Sequence, residues 1–172
     1  QPMVDIFSAN IYKLKKFISA NKIEDRVLIC MTETIKQEGV TELQTRAISK
    51  YQSAKKSNTI LEGILGGTFV GDVKEKDLRE KIENQYNLKI EENNIQVLPL
   101  PIKITIPELL NRAIFYHPPF ERGDKGFKDT TILLSILEDS EKNPEYEYIL
   151  VTKDGIFSNA ELRKEFSFNT KK

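Results

Sequence analysis

In ANIYKLKKFISAN, residues 9–21, Ile11, Leu14, Phe17 and Ile18 fall at i, i+3, i+6 and i+7, a spacing that predicts an amphipathic helix. VLICM, 27–31, is a short continuous apolar run and reads as a buried central strand. Thr32 then offers a helix N-cap, and ETIKQEGVTELQTRAISKYQ continues with helical spacing that Gly39 should weaken or bend. Residues 53–94 read as a helical excursion, with GILGGTFVG at 63–71 as a glycine-rich hinge and a charged helix at 73–86. The hinge lacks the Lys-Ser/Thr ending of a phosphate-cradling loop, so it reads as a turn. IQVLPLP, 95–101, is a strand closed by prolines, and Pro107 suits the first turn of the helix PELLNRAIFYH. Pro118 and Pro119 end that helix, and Asp129 opens another that runs to about Ser140. YEYILVT, 146–152, predicts a strand, and Asp154-Gly155 turns the chain into a last helix near 158–166.

Strands alternating with helices predict an α/β fold: a three-layer α/β/α sandwich around a mainly parallel sheet. At 172 residues, without repeats or low-complexity tracts, residues 1–172 read as a single domain large enough for its own core. Hydrophobic residues at 39% and charged residues at 30% are ordinary for a globular chain. Lys+Arg and Asp+Glu are both 26, so nucleic-acid binding would have to come from a local patch rather than from net charge. A lone Cys30 excludes a disulfide framework and a cysteine-based zinc cluster, and suits a reducing cytoplasm. Its apolar neighbours predict a buried, inert thiol. No apolar run reaches the ~20 residues of a membrane span, and the N-terminus lacks the order of a signal peptide.

In parallel sheets chemistry gathers beyond the carboxyl ends of the strands. Three acids are placed there by the predicted order: Glu38 two turns into the helix after VLICM, Asp129 at a helix start, and Asp154 directly after YILVT. Converging carboxylates repel and need a cation to stay ionised together. Oxygen ligands with few nitrogen or sulfur alternatives favour Mg²⁺ or Mn²⁺ over zinc. Each acid also has a structural reading: a cap for Asp129, a turn for Asp154, a solvated helix residue for Glu38. Glu33 is a poorer rival for the role of Glu38. Arg122, Lys125 and Lys128 could hold phosphates, or belong to an ordinary wet loop with Glu121 and Asp124. His117, the single histidine, reads as a capping or packing residue before a general base. Tyr116 and Phe120 could stack on an unpaired base or serve packing.

KGFKDTTILLSIL followed by YILVTKDGIF resembles the closing half of a PIN domain, and TETIKQE, 32–38, resembles the helix start that carries the family's glutamate. PPF…KGFKD is similar to a PIN-like branch in which such a helix start precedes a strand ending in an aspartate. The resemblance implies a Mg²⁺- or Mn²⁺-dependent endoribonuclease fold, with single-stranded or structured RNA as partner. It implies Asp129 as the metal-binding aspartate, Glu38 as the helix glutamate and Asp154 as the aspartate after the fourth strand. Two departures stand out. No strand ending in Asp-Thr-Asn precedes the first helix, so that strand is expected upstream of Gln1, with Asp5 of MVDIFSAN a weak candidate for its acid. Ile156 stands where a further acid often follows. A catalytically impaired RNA-binding or scaffolding module is therefore the alternative, and a homodimer is left open.

Overall fold

The computed structural model describes residues 9–68, 70–121 and 125–170. Helices dominate: α1 (Ala9–Ala20), α2 (Glu33–Leu65), α3 (Glu75–Glu92), α4 (Ile106–Ile114), α5 (Phe127–Lys142) and α6 (Ala160–Thr170), with a 3₁₀ turn at Gly155–Ser158 before α6. Two strands, β1 (Ile29–Thr32) and β2 (Ile95–Leu98), pair into a parallel sheet. The described chain forms two compact units. One joins the residues up to Ile29 with Lys36–Gln96, and the other joins Cys30–Ile35 with those from Val97 onward.

In the first unit, α3 buries Ile82, Tyr86 and Ile90, one stripe at four-residue spacing. Gly39 lets that stripe approach α2: a Cβ there would lie 2.2 Å from the Tyr86 hydroxyl oxygen. α2 continues unbroken through Gly39, where the glycine serves a close approach of two helices. The helix ends where glycines permit it. Gly66 and Gly67 have φ of 69° and 87°, and the Gly66 N–H donates to the Glu62 carbonyl at 3.1 Å. Asn58, buried on α2, anchors the loop beyond by accepting from the Val70 N–H at 2.9 Å. In α1 only Ile18 of the predicted stripe is buried, while Leu14 and Phe17 are exposed.

The second unit is built around α5. Leu133 and Leu137 pack with Leu162 of α6, while Ile132 and Ile136 pack with Leu98 of β2. Phe157 and Phe166 close both clusters. The buried Glu138 carboxylate accepts from the Ile102 and Lys103 N–H groups at 3.1 and 2.7 Å, fixing the turn after β2 to α5. Thr105 caps α4 by accepting from the Glu108 N–H at 3.3 Å, with Pro107 in the first turn. An ion pair between Arg112 and Glu165 ties α4 to α6, and the Pro118–Pro119 bond is cis.

Two expected strands differ. VLICM contributes Ile29–Met31 to β1, while Val27 and Leu28 precede the strand and are exposed; among the described residues β1 pairs with β2 alone and is an edge strand, not a central one. Residues 146–152 form no strand and have no ladder partner among the described residues. Tyr148 and Leu150 pack inward while Ile149 and Val151 are 81% and 84% exposed. The period-two alternation is present, and the neighbouring strand that would turn it into sheet is not among the described residues. Their parallel sheet is therefore smaller than the sandwich expected from sequence.

Candidate functional site

The start of α5 is a constrained corner. The Glu121 N–H donates to the Lys125 carbonyl at 3.0 Å, and the chain enters the helix through Gly126 at φ 104°. A Cβ on Gly126 would sit 2.2 Å from the Pro119 carbonyl oxygen, so the turn closes directly onto the Pro119–Phe120 backbone. This gives the PPF…KGFKD pair a physical basis: one segment is the floor on which the other turns. Phe120 is buried, as a packing residue would be, and Tyr116 is exposed with φ 51°.

Gly126, not Asp129, occupies the N-cap. The expectation that Asp129 opens the helix is corrected: it is the third residue of α5, half-buried in the first turn. A carboxylate there is favoured by the positive end of the helix dipole. The following Thr130 is fully buried, and its N–H donates to the Gly126 carbonyl at 2.8 Å. Thr131 Oγ1 donates to the Lys128 carbonyl at 2.7 Å and lies 3.0 Å from Thr34 Oγ1. Through that contact the first turn of α2, bearing half-buried Glu33, adjoins the turn bearing Asp129. Thr32 caps α2 as expected, accepting from the Ile35 N–H at 3.4 Å.

Asp154 is exposed and caps the 3₁₀ turn, its carboxylate accepting from the Ile156 N–H at 3.0 Å while its own N–H donates to Thr152 Oγ1 at 3.0 Å. Glu38 is exposed on α2 and belongs to the first unit, whereas Asp129 and Asp154 belong to the second. Lys125 and Lys128 are exposed. Asp5 and Arg122 lie outside the described residues. His117 is exposed, stacks at a tilt on Phe115 with ring centroids 6.2 Å apart, and shares a polar cleft with Arg112, Glu161 and Glu165. No sequence signal marks that cleft, since it exists only once α4 and α6 are packed.

Cys30 is exposed, correcting the expected burial, although Thr32, two residues on along the same face of β1, is buried. Partial desolvation, then the nearby Asp139 carboxylate, push its thiol up, so its reactivity as a thiolate is low. The Tyr148 hydroxyl donates to Asp139 at 2.7 Å, and burial together with that bond pushes the phenol well above its ordinary range.

Among the described residues, no group of three or more His, Cys, Asp or Glu side chains is arranged to hold a metal ion. A closed carboxylate cage is thus not formed by these residues. The donor chemistry still suits a hard cation, because Mg²⁺ keeps several waters and commonly takes only one or two carboxylates from protein.

A sequence profile of the PIN domain matches residues 6–157, a span that contains Glu38, Asp129 and Asp154 and omits Asp5. No curated relative and no solved structure matches the chain. PIN domains are commonly nucleases and typically use divalent metals. With the match extending from α1 through the 3₁₀ turn, the chain belongs to the PIN domain family.

Proposed function

We propose that this chain is a divalent-metal-dependent endoribonuclease that hydrolyses phosphodiester bonds of RNA, on the layered α/β/α frame its family membership supports. One observation carries the reading: the family match encloses an acid-bearing helix start, KGFKD, whose Gly126 is required by the turn that sets Asp129 in the first turn of α5. In this reading Asp129 is the principal metal-binding carboxylate, with Asp154 and, by its match to the family's helix glutamate, Glu38 as the further acids. Mg²⁺ or Mn²⁺ is the cation that such oxygen donors select. Lys125, Lys128 and Arg122 are placed by the sequence around the same helix start and serve as phosphate contacts. Single-stranded or structured RNA is the substrate class.

A second reading, an RNA-binding or scaffolding module, is favoured by the engagement of the Asp154 carboxylate as a cap and by the lack of a three-acid grouping among the described residues. Incubating the full-length protein with labelled RNA under Mg²⁺ or Mn²⁺, with and without chelator, separates them. Cleavage that chelation abolishes supports the nuclease. Retention of RNA without cleavage under either metal establishes the binding module, and chelator-resistant cleavage contradicts the metal mechanism.

A further inference from the structure

The chain carries no net charge, so a polyanion has to be met by a local patch. Among the described helices only α1 lacks a carboxylate, while its sequence ANIYKLKKFISA holds Lys13, Lys15 and Lys16. Its orientation is set within the first unit. Ile18 is buried and Ile11 half-buried on the inner side, and Lys15 Nζ donates to Asn93 Oδ1 at 3.4 Å, at the end of α3. Tyr12, Lys13, Lys16 and Phe17 are all exposed, Tyr12 by 68% and Phe17 by 61%. Tyr12–Lys16 and Lys13–Phe17 are i, i+4 pairs and Lys13–Lys16 an i, i+3 pair, so the four form one contiguous face. Neither Lys13 nor Lys16 has a carboxylate partner among the described residues, whereas Lys55, Lys89 and Lys103 pair with Asp72, Glu92 and Glu141.

We propose that this face of α1 binds single-stranded RNA, a contact additional to the acid-bearing start of α5; it rests on the reading of RNA as the substrate. Lys13 and Lys16 meet phosphates, releasing the counterions that surround them. Tyr12 and Phe17, one on either flank, offer ring faces on which unpaired bases stack. A duplex keeps its bases stacked inside and leaves both rings idle, so the aromatics select an unpaired strand. An anionic membrane fits this face less well. A helix lying in a membrane surface turns a contiguous apolar face outward and carries its cations on the other. At the helical turn angle the order across the exposed face of α1 is Tyr12, Lys16, Lys13, Phe17, with the charges in the middle.

The test is the affinity of the full-length protein for a fluorescein-labelled single-stranded RNA, measured by anisotropy in chelator so that no cleavage intervenes. Lys13→Gln/Lys16→Gln keeps good helix formers and removes two charges. It should weaken binding about 10-fold and lower the slope of log K against log salt by about 1.4, from two phosphate contacts at ~0.7 each. Tyr12→Ala or Phe17→Ala should each weaken binding at least ~5-fold with the slope unchanged. Lys76→Gln/Lys81→Gln makes the same charge change on the exposed side of mixed-charge α3, and should leave affinity and slope near wild type. Circular dichroism spectra of all variants should match. Failure of the nuclease reading looks different: RNA is bound through α1 yet never cut under Mg²⁺ or Mn²⁺, and the α1 proposal stands. An unchanged affinity and slope in the Lys13/Lys16 variant, an equal loss in the α3 control, or α1-dependent binding to phosphatidylserine vesicles in place of RNA would each overturn it.

Discussion

Gly126 meets two demands that no other residue type meets together. Its φ of 104° is disfavoured for any side chain, and a Cβ would collide with the Pro119 carbonyl oxygen, a backbone atom that cannot rotate away. Gly126→Ala is therefore expected to lower unfolding stability by about 3 kcal/mol or more, measured by urea denaturation; a loss under ~0.5 kcal/mol would show that the corner relaxes. At this scale the sequence was legible where chemistry and backbone coincide. KGFKD and Thr32 announced helix starts, and Asp154-Gly155 announced its turn. It misled at Cys30, since apolar neighbours in sequence do not reveal which positions of a strand are covered. Nor did it separate a capping Asp129 from a first-turn Asp129, because the glycine three residues earlier takes the cap only once Pro119 lies beneath it.

Between elements, the Gly39–Tyr86 approach sets how closely α3 packs on α2. Alanine at position 39 would improve intrinsic helix propensity by up to ~1 kcal/mol, yet its Cβ would lie 2.2 and 2.8 Å from two atoms of a buried tyrosine. Overpacking should win, and Gly39→Ala is expected to destabilise by about 1–3 kcal/mol. Denaturation of Gly39→Ala in a Tyr86→Phe background should recover only part of that loss, since the ring carbon remains in the way. Full additivity of the two changes would contradict a direct clash. Helices were readable from periodicity, including α4 and α5. YEYILVT shows the limit: its alternation is realised in what it buries, but strand formation needs a neighbour, and that is not a local property of the sequence.

At the scale of the whole molecule, stability should fall on the alkaline side. The raised phenol of Tyr148 keeps its proton in the folded state at pH values where the unfolded chain, near its ordinary 10.0, has lost it. The native state then binds more protons, so stability present below pH ~10 declines as pH rises toward the folded value. Tyr86 and Cys30 shift in the same direction, Tyr86 through burial alone. Melting temperatures across pH 8–11 (roughly the range over which Tyr and Cys titrate) should therefore decline, and less steeply in Tyr148→Phe; identical slopes would deny Tyr148 this role. Family membership was legible because motif order survives in sequence, whereas the extent of the sheet was not, because it depends on pairing between distant segments. The central claim concerns Asp129, and the most direct measurement is single-turnover RNA cleavage by the full-length protein under Mg²⁺ or Mn²⁺, wild type against Asp129→Asn. Asn keeps the shape of the side chain and tolerates the first helical turn, so the circular dichroism spectrum should be unchanged. It removes the negative charge a hard cation needs, and the cleavage rate is expected to fall at least ~100-fold. A folded Asp129→Asn protein that cleaves RNA at the wild-type rate would contradict the account.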